Sequence, residues 1–286
     1  MAIWVAILLG IIQGIFMFFP VSSTSHLALV QHFLISRGVV LPDPDSPEMI
    51  LFDLIVHVGT LVSIAYVFRD SLSKFIQNTL SGFYELKTGE STPIGELYRK
   101  LTFLGLLSVF MTGAIGFPLK AMFEQVFANP LIISGTLATT GVILWFTDKL
   151  PPRKIGLRQI GIGMAIIIGT AQAFALMPGL SRSGMTIAFA LFAGMQRKWA
   201  AEYSFFLAIP TILGASLLQT IEVMSLGGLT LSAPVLITAF IVSAIVGIFA
   251  LKIVIHLLYK AQFRVFSYYL WLLAAVVAVA SVRGIM

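Results

Sequence analysis

The sequence contains no cysteine. That excludes disulfides, thiolate catalysis and thiolate metal sites. Charge is also scarce: 10% of the 286 residues are Asp, Glu, Lys or Arg, where soluble domains carry roughly 25%. No Ser/Gly-rich or highly charged linker interrupts the chain, so a single integral domain over 1–286 is expected. A basic n-region and a small-residue cleavage site are both missing from the start, and the first apolar stretch reads as a retained membrane segment.

What the chain has instead is apolar surface. Apolar residues make up 58% of it, and the mean hydropathy is +1.00. Apolar segments fall at about 2–19, 24–36, 49–68, 101–119, 129–147, 157–176, 184–195, 201–222, 232–251 and 265–282. A helix needs about 20 residues to cross a hydrocarbon core of ~30 Å. Segments 24–36 and 184–195 are too short for that, and each follows a break containing Pro and Ser.

The net charge of +6 fits cytoplasmic loops better than nucleic acid. Fourteen of the 18 bases lie in 69–100, 148–158, at Arg197 and Lys198, or among Lys252, Lys260 and Arg264. Placing these regions in the cytoplasm leaves Arg37, Lys120 and Arg283 outside, with Arg182 within an apolar stretch. Residues 2–36 then form a hairpin entering from the outer side, and 157–195 one entering from the cytoplasmic side. The stretch 70–100 reads as an amphipathic surface helix followed by a turn.

The two hairpins share a pattern. Residues 10–26 read GIIQGIFMFFPVSSTSH, and residues 169–186 read GTAQAFALMPGLSRSGMT. Both have Gly-x-x-Gln, an apolar run, then Pro and a Ser-rich turn. Interrupted helices at corresponding places in two oppositely oriented halves mark the binding site of inverted-repeat transporters. Non-helical backbone at that depth must be buried or line a polar cavity. The expected fold is therefore an all-α polytopic membrane protein with an inverted-topology repeat and two re-entrant helix hairpins. It has about six full transmembrane helices, with repeat one over about 1–147 and repeat two over about 148–286. A shared polar cavity is expected from residues 20–26 and 178–186.

The second loop offers an anion cradle. Gly179 and Gly184 permit tight turns, while Ser181, Ser183 and Thr186 can cap a helix and donate hydroxyls. Arg182 presents a planar fork for phosphate or carboxylate oxygens, at a cost of at least ~2.5 kcal/mol near the bilayer centre. An ion pair with Glu202 is the structural alternative. The first loop offers Ser22, Ser23 and Thr24 as donors, one of them a nucleophile, with His26 as base or acid. Read alone, these are helix caps and a hydrogen-bonded histidine. Asp53 and His57 are four apart and can share a helix face, with polar packing as the simpler reading. In Pro42–Glu48, three acids invite a cation, but three prolines favour a solvated turn.

PGLSRSGMT, GTAQAFALM, AEYSFFLAIP, FDLIVHVGT and PVSSTSH together resemble the bacitracin-resistance family of undecaprenyl-diphosphate phosphatases, in order and over nearly the whole chain. The resemblance implies a multi-pass enzyme of the bacterial inner membrane. Its substrate would be a polyprenyl diphosphate lipid, its site would face the periplasm, and a divalent cation, Mg or Ca, would assist it. The product, undecaprenyl phosphate, carries cell-wall precursors. Surrounding membrane lipid and a homodimer are the further partners considered. By motif, Ser23 resembles the nucleophile or phosphate-binding serine, His26 the catalytic histidine and Arg182 the phosphate-binding arginine. Ser181, Ser183 and Thr186 would complete the cradle, and from the residues alone Ser22, Thr24 and Gly179 are further candidates for phosphate binding.

One position departs from the family. Its first motif is Glu or Gln, three residues, then Glu; here Gln13 is followed by Met17. A thioether offers no hard oxygen to Mg²⁺ or Ca²⁺. Asp53 and Glu48 are the carboxylates that could be recruited in its place. A non-hydrolytic or disabled relative that binds or moves a polyprenyl phosphate is the alternative.

Overall fold

The computed structural model describes residues 1–44, 46–119, 122, 129–226 and 231–283; Asp45 and Lys120 lie outside them. Eleven α-helices are present among the described residues. They are α1 (Ile3–Phe16), α2 (Ser23–Ser36), α3 (Pro47–Val67), α4 (Arg69–Thr88), α5 (Pro93–Gly116) and α6 (Pro130–Asp148). After these come α7 (Ile162–Phe174), α8 (Arg182–Phe192), α9 (Arg197–Leu226), α10 (Ala233–Tyr259) and α11 (Arg264–Val282).

Among the described residues five helices are long and apolar enough to cross a membrane: α3, α6, α9 from Arg197 to Ile221, α10 and α11. Against about six expected, α5 accounts for the difference. It is 24 residues long but opens on Glu96, Arg99 and Lys100 and is apolar only from Leu101 onward. The protein is an all-α, polytopic membrane protein.

The two short-helix hairpins are present, with boundaries shifted from the apolar runs. Helix α1 stops at Phe16 rather than 19, because Pro20 has no N–H and pushes its predecessor out of the α region. Helix α7 begins at Ile162 rather than 157, behind a 3₁₀ turn over Leu157–Gln159 and Gly161. Helix α5 starts eight residues earlier than its apolar run, at Pro93. Thr92 caps it by accepting from the Gly95 amide at 3.1 Å. Helix α10 continues past 251 to Tyr259, so Lys252 lies within it, its ammonium 5.9 Å from the Tyr66 ring centre.

Contacts divide the chain into two compact units. The first comprises Met1–Val67 and Ala208–Leu257. Its core joins Val5, Ala6 and Leu9 of α1 to Leu27 and Leu34 of α2, Met49, Phe52 and Val56 of α3, and Val235 and Ala239 of α10. Lipid supplies no hydrophobic drive, so close backbone approach and interhelical hydrogen bonds hold such helices together. A Cβ on Gly14 would fall 2.9 Å from Val246 Cβ and 3.0 Å from the Ser243 carbonyl. Ser63 donates to the Ala244 carbonyl at 2.7 Å. Before α3, the Ser46 amide bonds to the Asp43 carbonyl and the Ser46 hydroxyl accepts from Met49 N–H, which makes this loop a helix-capping turn.

The second unit comprises Phe68–Leu207 and Leu258–Met286. Here α6 pairs with α11: Trp271 Nε1 donates to the Ala138 carbonyl at 3.2 Å, and Ser134 Oγ to that of Ala274 at 3.0 Å. Helix α5 pairs with α7 through Ser108 Oγ to the Ala165 carbonyl and Thr112 Oγ1 to that of Gly169. Each bond of this kind contributes roughly 0.6 kcal/mol in a membrane. Helix α4 lies against α5 where Gly82 meets Gly95, and Leu80, Tyr84 and Leu86 remain exposed, as an amphipathic surface helix requires.

Candidate active site

The break after α1 runs from Met17 to Ser22. It turns on Ser22, a non-glycine residue at φ 67°. Such a conformation is uncommon and costs of order 1–3 kcal/mol. It sends the Ser22 carbonyl toward the ring of His26, whose Nδ1 donates to it at 2.8 Å. A carbonyl only accepts, so Nδ1 carries the proton and Nε2 is the nitrogen able to take one. The Phe16 ring stacks on the imidazole at 4.0 Å between centroids and 20° between planes, and His26 is buried. The tautomer and the orientation are thus both set by the turn.

The hydroxyls of this break are not equivalent. Ser22 and Ser25 are buried and share a 3.1 Å hydrogen bond. Ser23 is half-buried at the first position of α2, one helical turn before His26. Thr24 is exposed. One turn apart, Gln13 of α1 and Met17 just past its end are both buried. Neither the nitrogen nor the oxygen of the Gln13 amide finds a hydrogen-bond partner among the described residues. Buried polar atoms are rarely left so, and those that are call for an explanation.

Asp53 lies on α3, where its Oδ1 accepts from Gln31 Nε2 of α2 at 3.2 Å. His57 does not pair with the Asp53 carboxylate through Nδ1; that nitrogen donates to the Asp53 backbone carbonyl at 2.6 Å. Glu48 is in the first turn of α3. Among the described residues no three His, Asp or Glu side chains converge to hold a metal ion. Among the described residues this donor set builds no cation cage, and Met17 adds no hard ligand to it.

The break after α7 is built differently. Gly179 turns at φ 85°, and a Cβ there would fall 2.0 Å from Thr136 Oγ1. Thr136 donates to the Pro178 carbonyl at 2.6 Å and Thr140 to that of Gly179 at 3.0 Å. Two threonines one turn apart on α6 thus anchor the turn. Ser181 caps α8, its Oγ accepting from Gly184 N–H at 3.2 Å and lying 3.4 Å from Ser183 Oγ. Thr186 donates to the Arg182 carbonyl at 2.9 Å and closely contacts the buried Ser204 hydroxyl of α9. Arg182 is the first residue of α8 and is half-buried. Gln172, the counterpart of Gln13, donates to Thr112 Oγ1 at 3.0 Å.

The hydroxyl-bearing turns therefore differ in what is engaged: the second is tied to α6 and α9, while the first concentrates on one histidine. The sequence reading missed Gln31, Thr136, Thr140 and Ser204. The Thr136–Thr140 spacing was the only local signal for any of them.

Comparison with known proteins places the whole chain. Residues 6–276 match the family model described as bacitracin resistance protein BacA. The chain belongs to this family. A protein of Halorhodospira halophila named undecaprenyl-diphosphatase is 59% identical over 278 residues, covering 97% of each chain. One of Alkalilimnicola ehrlichii with the same name is 58% identical over 279 residues, 97% of this chain and 96% of that one. A third so named, from Alkaliphilus metalliredigens, is 35% identical over 96% of this chain and 98% of its own. In BacA terms, the motif residues Ser23, His26, Arg182, Ser181, Ser183 and Thr186 all lie at the two helix breaks.

Proposed function

We propose that this BacA-family protein hydrolyses undecaprenyl diphosphate to undecaprenyl phosphate and inorganic phosphate. It does so in the bacterial inner membrane, at a periplasm-facing site, and returns the lipid carrier to cell-wall synthesis. The observation that carries the chemistry is the Nδ1–H bond from His26 to the Ser22 carbonyl, which supports Nε2 as the nitrogen that transfers the proton. Names of relatives 59% and 58% identical over nearly full length support hydrolysis over binding alone.

In this reading Ser23 Oγ attacks the terminal phosphorus, since the Ser22 hydroxyl is engaged with Ser25. Its proton passes to His26 Nε2. The bond from that phosphorus to the bridging oxygen breaks, and undecaprenyl phosphate leaves, taking the proton from Nε2. Water then attacks the phosphoserine, giving up a proton to Nε2; the Oγ–P bond breaks, Ser23 Oγ takes that proton from Nε2, and inorganic phosphate departs. Arg182 and the capped start of α8 supply positive potential for phosphoryl oxygens, because phosphoryl transfer rests on positioning and charge stabilisation. A divalent cation and a second copy of the chain are expectations of the family; no step depends on either.

The test is phosphate release from undecaprenyl diphosphate by the purified protein, with and without Mg²⁺ or Ca²⁺. Expected are turnover by the native chain and its loss in His26→Ala, Ser23→Ala and Arg182→Ala. Turnover that survives both His26→Ala and Ser23→Ala would overturn the roles of these two residues. An inert native chain made active by Met17→Glu would identify a disabled phosphatase.

A further inference from the structure

Away from both breaks, the second unit has a shallow cavity, open to the surface, of about 510 Å³. Lys154, Arg158 and Gln196 bring polar groups to its lining, and Leu97, Leu157 and Trp199 an apolar wall. Among the described residues no carboxylate lines it. It sits among the loops whose surplus of Lys and Arg marks the cytoplasmic side. The proposed hydrolysis makes no use of it.

The loop bearing the two bases is held in place. Ile155 N–H bonds to the Gly194 carbonyl at 3.1 Å, and Gln196 N–H returns to the Ile155 carbonyl at 3.0 Å. Gln196 Nε2 donates to the Lys154 carbonyl at 3.1 Å, and Gln159 Oε1 accepts from Gly156 N–H at 3.0 Å. Lys100 Nζ donates to the Arg158 carbonyl at 3.2 Å, bringing a third base to the rim. The Lys154 and Arg158 side chains reach solvent, and Trp199 is partly covered beneath the Lys198 ammonium, 4.7 Å from its ring centre. Lys and Arg held together offer a point charge and a fork to phosphate oxygens. An amphipathic indole at this level is characteristic of a membrane–water interface.

We propose that this cavity binds the phosphodiester headgroup of an anionic phospholipid from the cytoplasmic leaflet. Basic pockets between helices on that side are suited to such headgroups. Two observations favour lipid over free phosphate. The cavity has an apolar wall, and α7 leaves Ile162 and Ile166 exposed one turn apart just past the loop, a stripe along which acyl chains can run. Such binding is independent of the phosphatase reaction.

The experiment uses the full-length protein in detergent, with phosphatidylglycerol as probe, phosphatidylcholine as neutral control, and native mass spectrometry counting bound lipid. Each base near the surface contributes about fivefold, so Lys154→Gln/Arg158→Gln is expected to weaken phosphatidylglycerol binding about thirtyfold. Phosphatidylcholine binding should not change, and inorganic phosphate should compete poorly. Single Lys154→Gln, expected to lose about fivefold, keeps the test valid if the double variant does not fold. Lys74→Gln/Lys87→Gln on α4 removes equal charge elsewhere and is expected to bind as native. Equal losses in the two double variants would mean bulk charge and overturn the site. Displacement by inorganic phosphate at concentrations equal to the lipid's would overturn the lipid assignment. Unchanged binding in Lys154→Gln/Arg158→Gln would overturn the proposal outright.

Discussion

The two helix breaks start from one sequence pattern and reach opposite solutions. After α7 the turn uses a glycine in the left-handed region, its carbonyls are taken up by Thr136 and Thr140, and its Gln172 donates to Thr112. After α1 the turn forces Ser22 into the same region, and the buried Gln13 amide finds no partner among the described residues. The second break is tied to its own unit through Thr136, Thr140 and Thr112 and suits holding an anion. The first stores strain at Ser22 and fixes the ring of one histidine, which suits moving a proton.

The sharpest way to break this contrast is His26→Ala, expected to lower phosphate release by a factor of about 10²–10⁴, the usual contribution of a positioned acid–base group. A loss equal to that of Thr186→Val would mean that the two breaks share the chemistry evenly. Next comes Gly179→Ala against Ser22→Gly, followed by thermal unfolding in detergent. The alanine puts a methyl against Thr136 and is expected to cost about 2 kcal/mol or more. The glycine relaxes Ser22 and is expected to stabilise by up to about 1 kcal/mol. If both destabilise alike, Ser22 is not strained.

Met17→Glu sharpens the comparison from the other side. It places a carboxylate one turn from the Gln13 amide and is expected to raise phosphate release about tenfold and make it respond more strongly to Mg²⁺ or Ca²⁺. No gain in rate would show that this buried position is closed to the reacting phosphate. The smallest effect belongs to Gln31→Leu, which removes the α2–α3 bond to Asp53. Stability should fall by about 0.6 kcal/mol, with turnover within a few-fold of native. A large loss of turnover would give Asp53 a part in the reaction.

How much of this was legible depended on the range of each interaction. The breaks at Pro20 and Pro178, the short helices beside them and the amphipathic α4 follow from local covalent geometry and periodicity, and all are present. Helix starts were misjudged where capping, not hydropathy, decides: Thr92–Pro93 begins α5 among charges that suggested a loop. The partners that finish each site were hidden for another reason. Thr140 and Gly179 are 39 residues apart, Ser204 and Thr186 18, and Gln31 and Asp53 22. Nothing in a single sequence marks which of many hydroxyls will meet which carbonyl. The tautomer of His26 depended on the left-handed Ser22, a conformation that serine seldom announces.

The stacking of Phe16 on His26 ties the reaction to the bilayer itself. Phe16 is the last residue of a helix of 14 residues, about 21 Å long, which is shorter than the hydrocarbon it enters. Such a segment settles at a depth governed by the local thickness, through tilting or thinning of the surrounding lipid. A change in that depth would move the Phe16 ring that stacks on the imidazole. Acyl-chain length should then act as a rheostat on turnover, so that lipid composition adjusts how fast the carrier is recycled without any effector binding.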